Sequence, residues 1–89
     1  MKALFSLGRI VATSGAIESI KDSDMHAALE RHASGDWGDV CPDDFQSNQD
    51  ALQQRLRLLS VYRTSEGIRF WIITEADRSA TTILLPNEY

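Results

Sequence analysis

Eighty-nine residues with 43% hydrophobic and 25% charged content have the size and make-up of one small globular domain, which excludes a disordered chain. A net charge of −4 argues against a duplex-DNA binder, which carries a basic face, and a single cysteine, Cys41, excludes an internal disulfide. The opening Met1-Lys2-Ala3-Leu4-Phe5 breaks too early for a signal peptide, and no window nears the roughly 18 apolar residues that cross a bilayer. These features lead us to expect a cytoplasmic protein without a membrane partner.

Leu4 to Thr13 is rich in β-branched and aromatic residues and reads as a strand. Phe5 and Leu7 share one parity, Ile10 and Ala12 the other, and a bulge at Gly8 would reconcile them. Thr13 or Ser14 caps a short helix to about Lys21, with Ala16, Ile17 and Ile20 inward. Asp22 or Ser23 opens a second helix to about Ala33, whose Met25, Ala28, Leu29 and His32 fall on one face at helical spacing. Gly35 stands where a left-handed C-terminal cap belongs.

Pro42 opens a third helix with Asp43 and Asp44 in its first turn, favourable for both the ring and the dipole. Its inner face is Phe45, Asn48, Gln49 and Leu52. Asn48 is polar where an apolar residue is expected, so it should be buried and bonded to backbone outside its own helix. Leu56 to Thr64 alternates as a strand, Thr64 to Gly67 is a turn, and Ile68 to Thr74 and Thr81 to Leu85 are two further strands. The order β-α-α-α-β-β-β gives a two-layer α+β domain, an antiparallel meander with helices on one face. The N-terminal strand joins the sheet at an edge that the sequence leaves open.

Three groups of residues could carry chemistry. His32, Asp36 and Trp37 surround a tight two-glycine loop, where a histidine could serve as base or ligand. The competing reading makes His32 part of the helix face, Trp37 a core plug and Asp36 an acceptor for loop amides. In the connection from Glu75 to Thr82, Arg78 with Asp77, Ser79, Thr81 and Thr82 has the fork and hydroxyls to hold phosphate or carboxylate. The alternative is a structural role for Arg78, paired with Glu75 or Asp77 within the turn or clamped on Asp36. Arg57, Tyr62, Arg63 and Arg69, with Arg55 and Trp71, suit either a nucleic-acid surface or a solvated sheet face. There is no Gly-rich phosphate loop, cysteine pair or His-x-x-x-His, so no cofactor and no metal are expected. Cys41 is read as a capping or buried residue.

Gly35-Asp36-Trp37-Gly38-Asp39, Arg57-x-x-Ser60-x-Tyr62 and the run from Trp71 to Tyr89 resemble a family of small uncharacterised bacterial proteins met on plasmids and integrative elements. Where that family has a Gly-rich turn before the arginine matching Arg57, this chain has Gln53-Gln54-Arg55-Leu56. The resemblance covers nearly the whole chain and implies a genetic context rather than an activity. The leading expectation is a non-enzymatic accessory protein of a mobile genetic element that binds a protein partner, such as an inhibitor of a host defence system. Its binding residues would come from His32, Asp36, Trp37, Arg57, Tyr62, Asp77, Arg78 and Thr81. The rivals are a small ribonuclease of the barnase or RelE kind, disfavoured by net charge, and a subunit that homodimerises through a sheet edge.

Overall fold

A computed structural model describes residues 3–89. The elements are β1 (Arg9–Ala12), α1 (Ser14–Ser19), α2 (Asp22–Ala33), α3 (Pro42–Gln54), β2 (Leu58–Arg63), β3 (Arg69–Thr74), β4 (Ala80–Leu84) and a 3-10 turn over Pro86–Glu88. The sheet order is β1-β4-β3-β2. β2, β3 and β4 form the antiparallel meander, and β1 lies parallel to β4 with Arg9 opposite Ala80. The α+β class and element order are those expected from the periodicity.

Local chemistry fixes the helix ends. Thr13 accepts from the Ala16 amide and opens α1, and the Glu88 carboxylate accepts from the Thr13 hydroxyl at 2.5 Å and the Gly15 amide at 3.1 Å. An acid from the C-terminal turn thus sits at the helix start, which its dipole favours. Pro42 stands in the first turn of α3, ahead of Asp43 and Asp44, and Arg55 ends that helix in the left-handed conformation at φ 55°. The Leu56 amide then closes onto the Ala51 carbonyl.

The core lies between α1, α2 and one sheet face. Ala16, Ile20 and Ala28 pack on Tyr62, Phe70, Ile72 and Ile83. A second cluster of Trp37, Ala51 and Leu58, with Phe5, Val40 and Leu52 around it, joins α3 to β2. Trp37 is 1% exposed. Three helix-phase expectations fail, because Ile17, Phe45 and Gln49 are exposed. The narrow stripes of these helices are filled by Ala16 in α1, with Ile20 just past its end, and by Asn48 and Ala51 in α3.

The N-terminal segment also departs from the expected long strand. Only Arg9–Ala12 pairs, because Gly8 makes a left-handed turn (φ 63°) rather than a bulge, where any Cβ would collide with the Arg78 and Ser79 carbonyls. Phe5 is thereby turned off the sheet and stacks on Trp37 at 6.3 Å.

Asn48 behaves as its position demands. Its Nδ2 donates to the Leu59 carbonyl at 2.7 Å and its Oδ1 accepts from the Leu59 amide at 3.0 Å. One side-chain amide therefore completes the outward backbone of β2 at Leu59, as a neighbouring strand would. Removing it leaves both groups unpaired, so Asn48→Ala should lower stability by about 1–3 kcal/mol in urea denaturation. A midpoint equal to wild type would show that water replaces the amide without loss.

Candidate functional site

Strand parity decides what each candidate can do. Leu58, Ser60 and Tyr62 of β2, Phe70, Ile72 and Thr74 of β3 and Thr81 and Ile83 of β4 share the helix-facing side through their registers. This parity places a histidine and three hydroxyls inside the molecule. His32 Nδ1 meets Ser60 Oγ at 2.5 Å, and its Nε2 meets Thr74 Oγ1 at 2.8 Å. Thr74 in turn meets Thr81 at 2.8 Å, and Thr81 donates to the Leu7 carbonyl at 2.7 Å. His32, Ser60, Thr74 and Thr81 are each fully buried.

The far end of this row sets every proton. Thr81 gives its single hydrogen to a carbonyl, so Thr74 must donate to Thr81. Thr74 can then only accept from His32, which fixes the proton on Nε2 and leaves Nδ1 to accept from Ser60. Every hydroxyl and both ring nitrogens are satisfied in this neutral tautomer. Burial, aided by the positive charge of Arg78, pulls the His32 pKa down to about 4.

Arg78 is the second interior polar group, at 7% exposure and with left-handed backbone. Its Nη1 donates to the carbonyls of Leu56 (2.6 Å), Glu75 (3.2 Å) and Ala76 (3.4 Å), and its Nη2 to that of Ala51 (2.9 Å). Two of these carbonyls, Ala51 and Leu56, close the C-terminus of α3, where a cation is favoured. Its guanidinium carbon also lies 5.6 Å from the Phe5 ring centroid. Arg78 is a clamp, but on carbonyl groups, which corrects the expected pairing with Asp36 or Glu75. Burial and the nearby Arg55 lower its pKa.

Other cations take those carboxylates. Arg31 forms a fork with Asp36, at 2.8 and 3.2 Å, and this bond holds the Asp36 carboxyl below its usual range. Asp36 also accepts from the Gly38 amide, and its carbonyl accepts from the Tyr62 hydroxyl at 2.6 Å. Arg31 covers the Tyr62 ring at 4.8 Å, and burial pushes the Tyr62 hydroxyl pKa up. Asp77 is exposed and accepts from the Ser79 amide in a turn. Cys41 precedes α3, exposed and without a side-chain cap bond.

His32, Trp37, Arg78 and Thr81 are thus brought together, but inside the molecule, through the ring of Phe5 and the row of hydroxyls. Phe5 is 5.3 Å from His32, and His32 is 5.6 Å from Trp37. Ser60 and Thr74 belong to the same group and were missed by the sequence reading. Their signal is a hydroxyl at the apolar-facing parity of a strand.

Arg57 lies on the opposite sheet face, with Arg63, Arg69 and Trp71. There, Arg57 pairs with Glu75 at 3.3 Å and donates to the Tyr89 hydroxyl at 2.9 Å, and Tyr89 meets Trp71 edge-on at 5.5 Å. With Leu59 and Ile73 these residues line a groove of about 320 Å³. Further along this face Arg63 and Arg69 are direct cross-strand partners, a like-charge pair that disfavours the sheet. The three α-helices carry seven carboxylates and only one Lys or Arg, so charge is segregated between the layers.

No family model, curated protein or solved structure matches this chain. No helix among the described residues is long and apolar enough to cross a membrane.

Proposed function

We propose that this chain is a non-enzymatic accessory protein of a mobile genetic element that binds a protein partner through the helix-free face of its sheet. The supporting observation is a division of labour in the side chains. The histidine, the hydroxyls and the buried arginine that could serve a reaction are bonded to one another or to backbone in the interior. The residues offered outward are Trp71, Tyr89 and arginine, the types that dominate binding energy at protein interfaces. Arg63 and Arg69 favour an acidic partner surface. The resemblance to plasmid-borne proteins adds the narrower reading, inhibition of a host defence system.

The test is capture of partners from bacterial lysate by the tagged chain, followed by reconstitution with the purified partner. Trp71→Ala and the double change Arg63→Glu with Arg69→Glu should each weaken the complex by at least about tenfold, as loss of a central contact does. The fold should survive both changes. A reconstituted complex indifferent to both would move the interface elsewhere. Cleavage of RNA by the purified chain, lost in His32→Gln, would replace the proposal with the ribonuclease reading.

A further inference from the structure

The two edges of the sheet are finished differently. On β2, Asn48 satisfies the outward backbone of Leu59, while the Val61 amide donates to the Trp37 carbonyl and the Asp39 amide to the Val61 carbonyl. Gly38 makes this seal possible, because with φ at 75° any Cβ there would collide with the Val61 carbonyl. That edge is closed to other chains.

β1 is left open. It reaches β4 through Arg9, whose amide donates to Ser79, and Thr13, whose amide donates to Ile83. Alternation along the strand therefore turns the amides and carbonyls of Ile10 and Ala12 away from the sheet. Ile10 is 51% and Val11 40% exposed. Natural edge strands are blunted by shortness, charged side chains, proline, a bulge or a covering segment; β1 is short and begins with Arg9, but Ile10–Ala12 carry no charge, proline or bulge.

Beside this edge runs an apolar trough between β1 and α2. Two adjoining hollows of about 310 and 280 Å³ share Ile10, His26 and Leu29, with Leu7 and Ala33 at one end and Met25 at the other. The rim bears the carboxylates of Asp22 and Glu30, with His26 lying 3.2 Å from Glu30. An extended chain docked on Ile10 and Ala12 would drop alternate side chains into this trough.

We propose that the β1 edge receives an extended segment of a partner protein as a fifth strand, with aliphatic side chains at alternate positions and lysine or arginine between or beside them. Charge favours this occupant over a second copy of the chain. Symmetric pairing of β1 with itself would set two copies of α2 side by side, with Asp22 and Glu30 of each facing the other. The edge lies across the sheet from the groove of Trp71 and Tyr89, so this proposal stands independently of that face.

The probe is a short synthetic peptide alternating isoleucine or valine with lysine, titrated into the isotope-labelled full chain. Amide shifts should concentrate in β1 and α2, and the Ile10 and Ala12 amides should become protected from solvent exchange. Ile10→Pro removes an outward donor that the sheet itself does not use, a substitution that edge strands tolerate. It should weaken binding at least about tenfold with melting unchanged. Leu29→Lys, which charges the trough, should weaken binding likewise, with some loss of melting temperature because Leu29 also packs on the core, and decides the matter if Ile10→Pro fails to fold. Equal binding of a peptide with glutamate for lysine would overturn the stated chemistry, and shifts centred on Trp71 or Tyr89 would overturn the site. A chain that sediments as a dimer without peptide, and as a monomer when Ile10→Pro is introduced, would make the occupant a second copy.

Discussion

Arg78→Ala should lower stability by about 3–5 kcal/mol in chemical denaturation, because each lost hydrogen bond to a charged donor is worth about 1.5–3 kcal/mol. The 2.6 and 2.9 Å bonds to Leu56 and Ala51 make up most of this loss. No carboxylate is stranded, so the cost comes from the Leu56 carbonyl left without its donor, from the charged bond lost at Ala51, which keeps its backbone donors, and from a helix end without its cation. Arg78→Lys should recover only part of it, since a single ammonium lacks the fork that spans two carbonyls. Arg78→Gly should be less damaging than Arg78→Ala by roughly 1 kcal/mol, because the backbone there is left-handed and glycine carries no Cβ penalty. Three variants that melt together with wild type would show that water serves these carbonyls equally well.

Acidification between about pH 6.5 and 4 should destabilise the protein by about 3 kcal/mol through His32 alone. The unfolded chain binds a proton at His32 near pH 6.5, whereas the folded chain resists doing so until about pH 4. Across that window the unfolded state holds more protons, so stability rises with pH and is lost as pH falls. Asp36 has a depressed pKa, so its contribution fades only at still lower pH, as its own carboxyl is protonated. His32→Phe should flatten the dependence between pH 6.5 and 4. It should also cost about 2–5 kcal/mol at neutral pH, because it strands the Ser60 hydroxyl, takes the incoming donor from Thr74 and replaces a buried, fully bonded ring. Urea midpoints at pH 7 and pH 4.5 for both proteins test this, and identical pH slopes would mean that His32 titrates in contact with water.

Local signals made much of the fold legible. Pro42 with its two aspartates, the spacing of Ala28 and His32, and the alternation of Leu58, Ser60 and Tyr62 each mark an element by its own physics. Asn48 was readable as a buried amide because a polar residue on an inner helix face has to find backbone. The depth of the candidate site was not readable. Leu59, Val61, Trp71 and Ile73 make the second sheet face as apolar as the first, so parity alone does not say which side the helices cover. Once α2 covers the Ser60 side, His32, Thr81 and Arg78 are interior groups and Arg57 an exterior one. The choice of Arg31 for Asp36 follows from proximity across a helix end, which outweighs a long-range contact that loop closure would have to bring together. The short β1 depended on Gly8, whose left-handed turn answers to carbonyls near the far end of the chain.

The parallel pairing of β1 with β4 also governs the order of events on the ribosome. β1 is the first strand to be synthesised, yet its ladder partner is the last. Until Ala80 to Leu84 emerge, Ile10 and Val11 have no neighbour on either side, and the Glu88 carboxylate that holds Thr13 and Gly15 does not yet exist. A nascent chain halted after β3 contains the hairpin and the helices but lacks the strand that joins its two ends. The sheet therefore stays incomplete until β4 is available, and the segment around Ile10 must wait for three further strands before it gains its partner.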